Sequence, residues 1–331
     1  MSSGDEPQNA DPDLWHAGER SMQEMAGVRA AMEKSGEVVL RDFMPAQHRQ
    51  FFAERQQIFL GVLDGDGWPW ATVLEGEVGF LSTPDAQLLT IDAMPLSGDP
   101  ARAGILDGAP IGGLGIEFAT RRRNRVNGVV RYQDGAPGFE IQVSQSFGNC
   151  PKYIQARHLV PGSKPAVTPA VPDSSGVQLL SSLSPEHVAL IEAADTFFIA
   201  SRSASPGLTR SEGLDVSHRG GLPGFVAVEN ERRLAFPDYR GNFFFNTLGN
   251  LLSDERCGLL FMDFENGNVL QLAGRGHVLS DEKDRKNWPG AERVITVDVE
   301  QAVYAPARLK TRYTFGDYAR QFVRPAESGG G

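Results

Sequence analysis

Apolar residues along the chain gather into short runs: IFLGVL (58–63), WATVLEG (70–76) and LLTID (88–92), then TFFIAS (196–201), GFVAV (224–228), GLLFMDF (258–264) and VLQLAG (269–274). Runs this short, rich in β-branched and aromatic residues and bounded by Gly, Pro, Asn and Asp, predict strands. Residues 14–35, LWHAGERSMQEMAGVRAAMEKS, follow another rhythm. Leu14, Met22, Met25 and Val28 fall on one helical face, which predicts an N-terminal helix that docks on the body. Between the two groups of strands, LVPGSKPAVTPAVPDSSG (159–176) holds too much proline, glycine and serine for helix or central strand and reads as a linker. Residues 1–13 and AESGGG (326–331) are expected to be disordered tails. The predicted organisation is mainly β (α+β): an N-terminal helix with a first small barrel (14–158), the linker, and a second barrel (177–325), with flanking helices.

The two halves repeat each other. An offset of 145 sets VGFL (78–81) on PGFV (223–226), and an offset of 146 runs without a gap from Leu88 to Phe118, pairing Leu88 with Leu234, Gly112 with Gly258 and IEF (116–118) with MDF (262–264). Unrelated β domains can share apolar alternation, but this register favours a duplication. The polar positions differ between the copies. Arg240, Asn242, Asn246, Thr247 and Asn250, within FPDYRGNFFFNTLGNLL (236–252), stand opposite Met94, Leu96, Pro100, Ala101 and Gly104. Asn246 or Thr247 alone reads equally well as an N-cap before LGNLLSDE. As a set, the five point to a ligand in the second copy only.

Composition narrows the ligand. The 331 residues carry a net charge of −10, with a pI near 5.2, and lack the basic footprint of general nucleic-acid binding. No apolar run approaches the roughly 20 residues of a membrane span, and the acidic start MSSGDEPQNADPD is unlike a secretory signal, so a cytoplasmic location is expected. Cys150 and Cys257 form no metal or redox motif, and the six histidines show no paired spacing, so no metal site is predicted. The basic run RRRNR (121–125) could meet a phosphate, but between two strand-like runs it reads most simply as a solvated hairpin tip.

Hydroxyl, amide and guanidinium groups at a helix start suit a phosphate, because free N–H groups there point at the anion. In DVSHRGG (215–221), Ser217 and Arg219 alternate onto one strand face and can reach the same anion; their first-copy counterparts are Thr72 and Leu74. Neither a Walker A loop nor a dinucleotide fingerprint is present. The order DVSHRGGLPGFV, LAFPDYRGNFFFNTLGNLLSDERCGLLFMDF, VLQLAGRGHV resembles the pyridoxamine 5'-phosphate oxidase-like proteins with the FMN-binding split-barrel fold. FGNCPKYIQAR (147–157) also resembles the Cys-Pro-Lys segment of a related subgroup. The resemblance implies two tandem split barrels and an FMN site lined by Ser217, His218, Arg219, Arg240, Asn242, Asn246, Thr247 and Asn250, with Gln271 near the ring. NTLGN replaces the serine–arginine–lysine cluster of true pyridoxamine phosphate oxidases, so the resemblance does not extend to vitamin B6 oxidation.

In such flavoproteins the flavin lies between two subunits, and a tandem duplication can supply both walls within one chain. Lys152 and Arg157 are then candidates to approach the isoalloxazine, unless FGNCPKYIQAR is an exposed helix start with Pro151 in its first turn. The implied activity is an FMN-dependent oxidoreductase using a small-molecule substrate and an electron donor such as NAD(P)H, with no acid or base assigned. A homodimer is an assembly the family allows. The alternatives are a deazaflavin-dependent reductase and a non-catalytic flavin or haem carrier, the last requiring an axial ligand such as His218 or His277.

Overall fold

The computed structural model describes residues 14–132, 135, 137–163, 176–205 and 210–323. Both expected tails and most of the linker lie outside the described residues. The first sheet contains β1 (Gln57–Leu63), β2 (Pro69–Glu75), β3 (Leu81–Ser82), β4 (Leu88–Ile91), β5 (Pro110–Glu117), β6 (Arg122–Arg131) and β7 (Phe139–Gly148). After β8 (Arg157–Leu159) and β9 (Gln178–Leu180), the second contains β10 (Thr196–Arg202), β11 (Leu214–Gly220), β12 (Ala227–Asn230), β13 (Arg233–Tyr239), β14 (Arg256–Met262), β15 (Val269–Leu279) and β16 (Ala291–Ala305). β17 (Tyr313–Phe315) pairs with β8.

The strand orders are β2-β1-β5-β6-β7-β4-β3 and β11-β10-β14-β15-β16-β13-β12. Each strand of the first path has its counterpart at the same place in the second, so the two curled antiparallel sheets are two split barrels of one topology. The repeat seen in the sequence is therefore a repeat of the fold.

Six helices among the described residues flank the sheets: α1 (Ala17–Met25), α2 (Arg29–Val39), α3 (Ala46–Ala53), α4 (Pro185–Ala193), α5 (Asn246–Ser253) and α6 (Glu282–Arg285). Where the second barrel has α5, the first has only a 3₁₀ turn, Pro100–Gly104. The helix expected across 14–35 is two helices. Gly27, at φ +68°, takes a left-handed conformation that ends α1, and Met25 is left exposed. Among the described residues, no helix is long and apolar enough to cross a membrane.

Each barrel has its own apolar core, and a third cluster joins them. At its centre Phe59 of β1 stacks on Phe198 of β10, centroids 3.6 Å apart and planes 12° from parallel. Gly112 of β5 faces Leu214 and Asp215, while its counterpart Gly258 of β14 faces Pro69 and Trp70. These reciprocal contacts relate the barrels by a pseudo-two-fold axis. A Cβ on Gly258 would lie 2.3 Å from the Pro69 carbonyl oxygen, within repulsive range of backbone that cannot swing aside. Gly258→Val is accordingly expected to cost about 3 kcal/mol of stability in urea unfolding. A variant as stable as the parent would show that the barrels do not pack at this seam.

The N-terminal helix docks on the second barrel, although the first follows it in the chain. Gly18 and Gly249 let α1 and α5 approach closely: a Cβ on Gly18 would fall 2.0 Å from the Gly249 carbonyl oxygen. Met22 enters the second core. His16 caps α1, its Nδ1 accepting from the Gly18 N–H, and Glu19 accepts from the His16 N–H to complete the capping box. Burial lowers His16 to about 4, with the Asp215 charge opposing the shift and Arg20 adding to it. An unfolded histidine takes its proton near 6.5, so between that pH and about 4 the unfolded chain binds the proton that folded His16 refuses. Stability is thus lost as pH falls through this window, by up to about 3 kcal/mol from this group. His16→Asn, which keeps a capping oxygen, should flatten that limb in thermal unfolding from pH 7 to 4. An unchanged acid limb would count against the burial of His16.

Candidate functional site

A cleft opens between the barrels where β11, β13 and the start of α5 face β6 and the segment leaving β7. The second barrel contributes Ser217, His218, Arg219, Asn242, Asn246 and Thr247, the last buried. The first contributes Arg123, Arg125, Asn149, Cys150, Lys152 and Tyr153.

The chain that enters α5 is held in an unusual shape. Phe243 and Phe245 both take left-handed φ, +63° and +62°, a conformation costly for residues with a Cβ. Phe245 is the N-cap, and its side chain makes no capping hydrogen bond. The first helical bond runs from the Gly249 N–H to the Phe245 carbonyl, so the N–H groups of Asn246, Thr247 and Leu248 have no intrahelical acceptor. Asn242 Oδ1 accepts from the Phe244 N–H at 3.2 Å, bracing the loop. From behind, the Asn246 amide donates to Glu19 of α1 at 2.5 Å, and burial, reinforced by the Asp215 charge, raises that carboxyl well above its usual range.

Strand alternation places the cations. On β11, Asp215, Ser217 and Arg219 share one face. Arg219 reaches Asp238 at 2.7 Å, and Asp238 also meets Arg293 at 3.3 Å, so one carboxylate lies between two guanidinium groups. On β6, Arg123 and Arg125 point to the cleft while Arg122 is exposed. Arg125 pairs with Asp215 at 2.7 Å and donates to Ser217 Oγ at 2.5 Å. Arg123 donates to the Cys150 carbonyl at 2.9 Å and meets His218 Nδ1 at 3.3 Å. Burial, then the Arg125 charge, lowers Arg123 to about 10, with Arg219 adding to the effect and Cys150 opposing it. Burial, then Arg123, Arg157 and Arg219, depress His218 well below its ordinary value, which keeps it neutral. With Nδ1 accepting from Arg123, His218 carries its hydrogen on Nε2.

Several donors around this cleft are buried and lack an acceptor among the described residues: Nε of Arg219, Nε2 of His218, Nε of Arg125 and Nδ2 of Asn149. Crowded cations, unanswered donors and an open helix N-terminus are the chemistry that an anion satisfies.

Seven of the residues singled out from the sequence meet here: Lys152, Ser217, His218, Arg219, Asn242, Asn246 and Thr247. Four lie elsewhere. Arg240 is exposed, its guanidinium 5.1 Å from the Phe243 ring centre. Asn250, one turn into α5, is buried behind the cleft and donates to Ser201 and Asp215, at 3.0 Å each. Arg157 pairs with Asp195 at 2.5 Å and lies 3.9 Å over the Phe264 ring, lining a separate cavity. Gln271 lies in the other inter-barrel cleft and donates to the Ala71 carbonyl and Asp99, at 3.0 and 3.1 Å. His277 is on an exposed face beside Glu255 and Asp298.

Arg123 and Arg125 overturn the reading of RRRNR as a solvated tip. Arg121 lies in the turn and bonds to the Ile154 carbonyl, exposed Arg122 opens β6, and Arg123 and Arg125 turn inward against β11; period-two alternation within the run was the available signal. FGNCPKYIQAR does not begin a helix: Phe147 and Gly148 end β7, and the chain is irregular from Asn149 up to β8, with Tyr153 at φ +68°.

Residues 183–315, which include every second-barrel residue of this cleft, match the family model described as pyridoxamine 5'-phosphate oxidase. The second barrel is pyridoxamine 5'-phosphate oxidase-like. Solved structures similar to this chain include a putative pyridoxamine 5'-phosphate oxidase of Lactobacillus delbrueckii, 16% identical over 37% of this chain and 93% of its own (TM-score 0.29). Group A Streptococcus HupZ is 12% identical over 36% and 91% (TM-score 0.29). A Mycobacterium smegmatis FAD binding protein is 14% identical over 38% and 98% (TM-score 0.26). At such identities and scores, these likenesses carry no functional weight. No curated protein matches the chain. The family match stops short of the first barrel, yet the pyridoxamine 5'-phosphate oxidase-like barrel draws Arg123, Arg125 and Lys152 of its cleft from there.

Proposed function

We propose that the chain binds FMN in the cleft between its barrels and acts as an FMN-dependent oxidoreductase, taking electrons from a donor such as NAD(P)H and passing them to oxygen or a small organic acceptor. The observation that carries this reading is the convergence of unanswered donors from both barrels on the open N-terminus of α5.

Ser217, Arg219, Thr247 and the first amides of α5 would hold the phosphate. Arg123 and Lys152 supply positive charge from the opposite wall, and neutral His218 offers Nε2–H as a donor without adding charge. Bound FMN would supply two-electron redox chemistry, while the protein sets its orientation, its electrostatics and access to its ring. Arg125 is committed to Asp215 and Ser217 and orients the wall.

The purified protein is expected to be yellow and to release FMN on denaturation, or to take up added FMN when isolated without it. A colourless protein that fails to bind FMN would exclude the proposal. If FMN binds, rapid mixing with NADH and NADPH tests the redox part: bleaching at a useful rate marks an oxidoreductase, and its absence with both donors leaves a carrier.

A further inference from the structure

The pseudo-two-fold axis creates a second cleft, lined by β2, the segment after β4, and β15. The offsets of the repeat match its groups to those of the first: Thr72 takes the place of Ser217, Gln271 that of Arg125, Ala101 that of Thr247, and Asp99 that of the N-cap Phe245. In the first cleft these positions surround space with unanswered donors. In the second, the Asp99 carboxylate fills the space: Oδ2 accepts from Thr72 Oγ1 at 2.5 Å, and Oδ1 accepts from the Ala101 N–H at 2.9 Å and Gln271 Nε2 at 3.1 Å.

We propose that Asp99 is an internal substitute for the nucleotide phosphate, occupying the anion position of the second cleft so that each chain holds one nucleotide. The three donors come from a strand hydroxyl, a strand of the opposite barrel, and the backbone at the start of the turn Pro100–Gly104, the same sources that converge in the first cleft. Burial raises the Asp99 carboxyl above its usual range, and the bonds from Thr72, Gln271 and Ala101, with the Arg308 charge, pull the other way, as they would for a phosphate oxygen. Leu74, in place of Arg219, takes the cation from the strand and leaves Arg308 as the charge beside Asp99, so the carboxylate, with fewer oxygens and less charge than a phosphate, suits the place better.

The inference rests on the flavin reading for the nucleotide's identity, and two independent measurements keep them apart. Titration of the full chain with FMN should saturate at one per chain; two per chain would overturn the inference while upholding the flavin reading. The second measurement uses no flavin. Asp99→Ala should lower the thermal midpoint by about 5 °C, and inorganic phosphate at about 50 mM should raise it at least about 2 °C more than it raises the parent, against chloride of equal ionic strength. Asp99→Asn, whose amide still fills the position, should show no such excess. An equal response to phosphate in Asp99→Ala and parent would overturn the inference; if Asp99→Ala does not fold, an excess response in Asp99→Asn, or two FMN per parent chain, would do so.

Discussion

Replacing Arg219 and Thr247 together by alanine is expected to weaken FMN binding at least tenfold, about 1.5 kcal/mol, while leaving the fold intact. The magnitude follows from losing a charge-assisted bond and a hydroxyl donor in a partly closed site. The fold survives because Asp238, which loses Arg219, keeps Arg293, and Thr247 is within a helix already held by α1. Flavin fluorescence quenching on titration measures the effect. Arg240→Ala is the control: that side chain is exposed and outside the cleft, so its affinity should stay within about twofold of the parent. Unchanged affinity in the folded double variant would move the phosphate elsewhere.

The second large effect is on stability. Arg125→Ala is expected to cost about 3 kcal/mol in urea unfolding, because it strands the buried Asp215 carboxylate. The Arg125 side chain is 3% exposed and that of Asp215 11%, so water cannot replace the lost partner. Asn127 and Asn250 also donate to Asp215, which places the cost at the lower end of the range for such pairs. Arg125→Met with Asp215→Leu removes both charges and should recover part of the loss. A single variant as stable as the parent would show that the pair does not lock the two barrels.

Both predictions depend on residues that were unevenly visible in the sequence. The strands were legible because a strand buried on both faces is a short continuous apolar run bounded by turn residues, and IFLGVL, TFFIAS and GLLFMDF form β1, β10 and β14. The duplication was legible because insertions between the copies are few from Leu88 onward. Ser217, Arg219, Asn246 and Thr247 stood out against their first-copy counterparts, and all four line one cleft. Their role as a phosphate site rests on the proposal above.

Two residues assigned to the FMN site lie apart from the other candidates. The resemblance implies Gln271 near the ring, but each cleft pairs β11 or β2 with a strand of the other barrel, so Gln271 faces Asp99 and Arg125 takes the corresponding place near Ser217. Arg157 was joined to Lys152 as a neighbour in the segment, yet the left-handed turn at Tyr153 sends them to different cavities.

The sequence by itself determined the strands, the repeat, and the asymmetry between a polar second copy and an apolar first, because each is recorded in spacing along one chain. Tertiary structure alone decided which barrel faces meet, that α1 from the far end of the chain steadies α5, and that Arg123 and Arg125 complete the site. Those facts depend on packing across the pseudo-two-fold axis, where Gly112, Gly258 and the Phe59–Phe198 stack bring together residues that no local period connects.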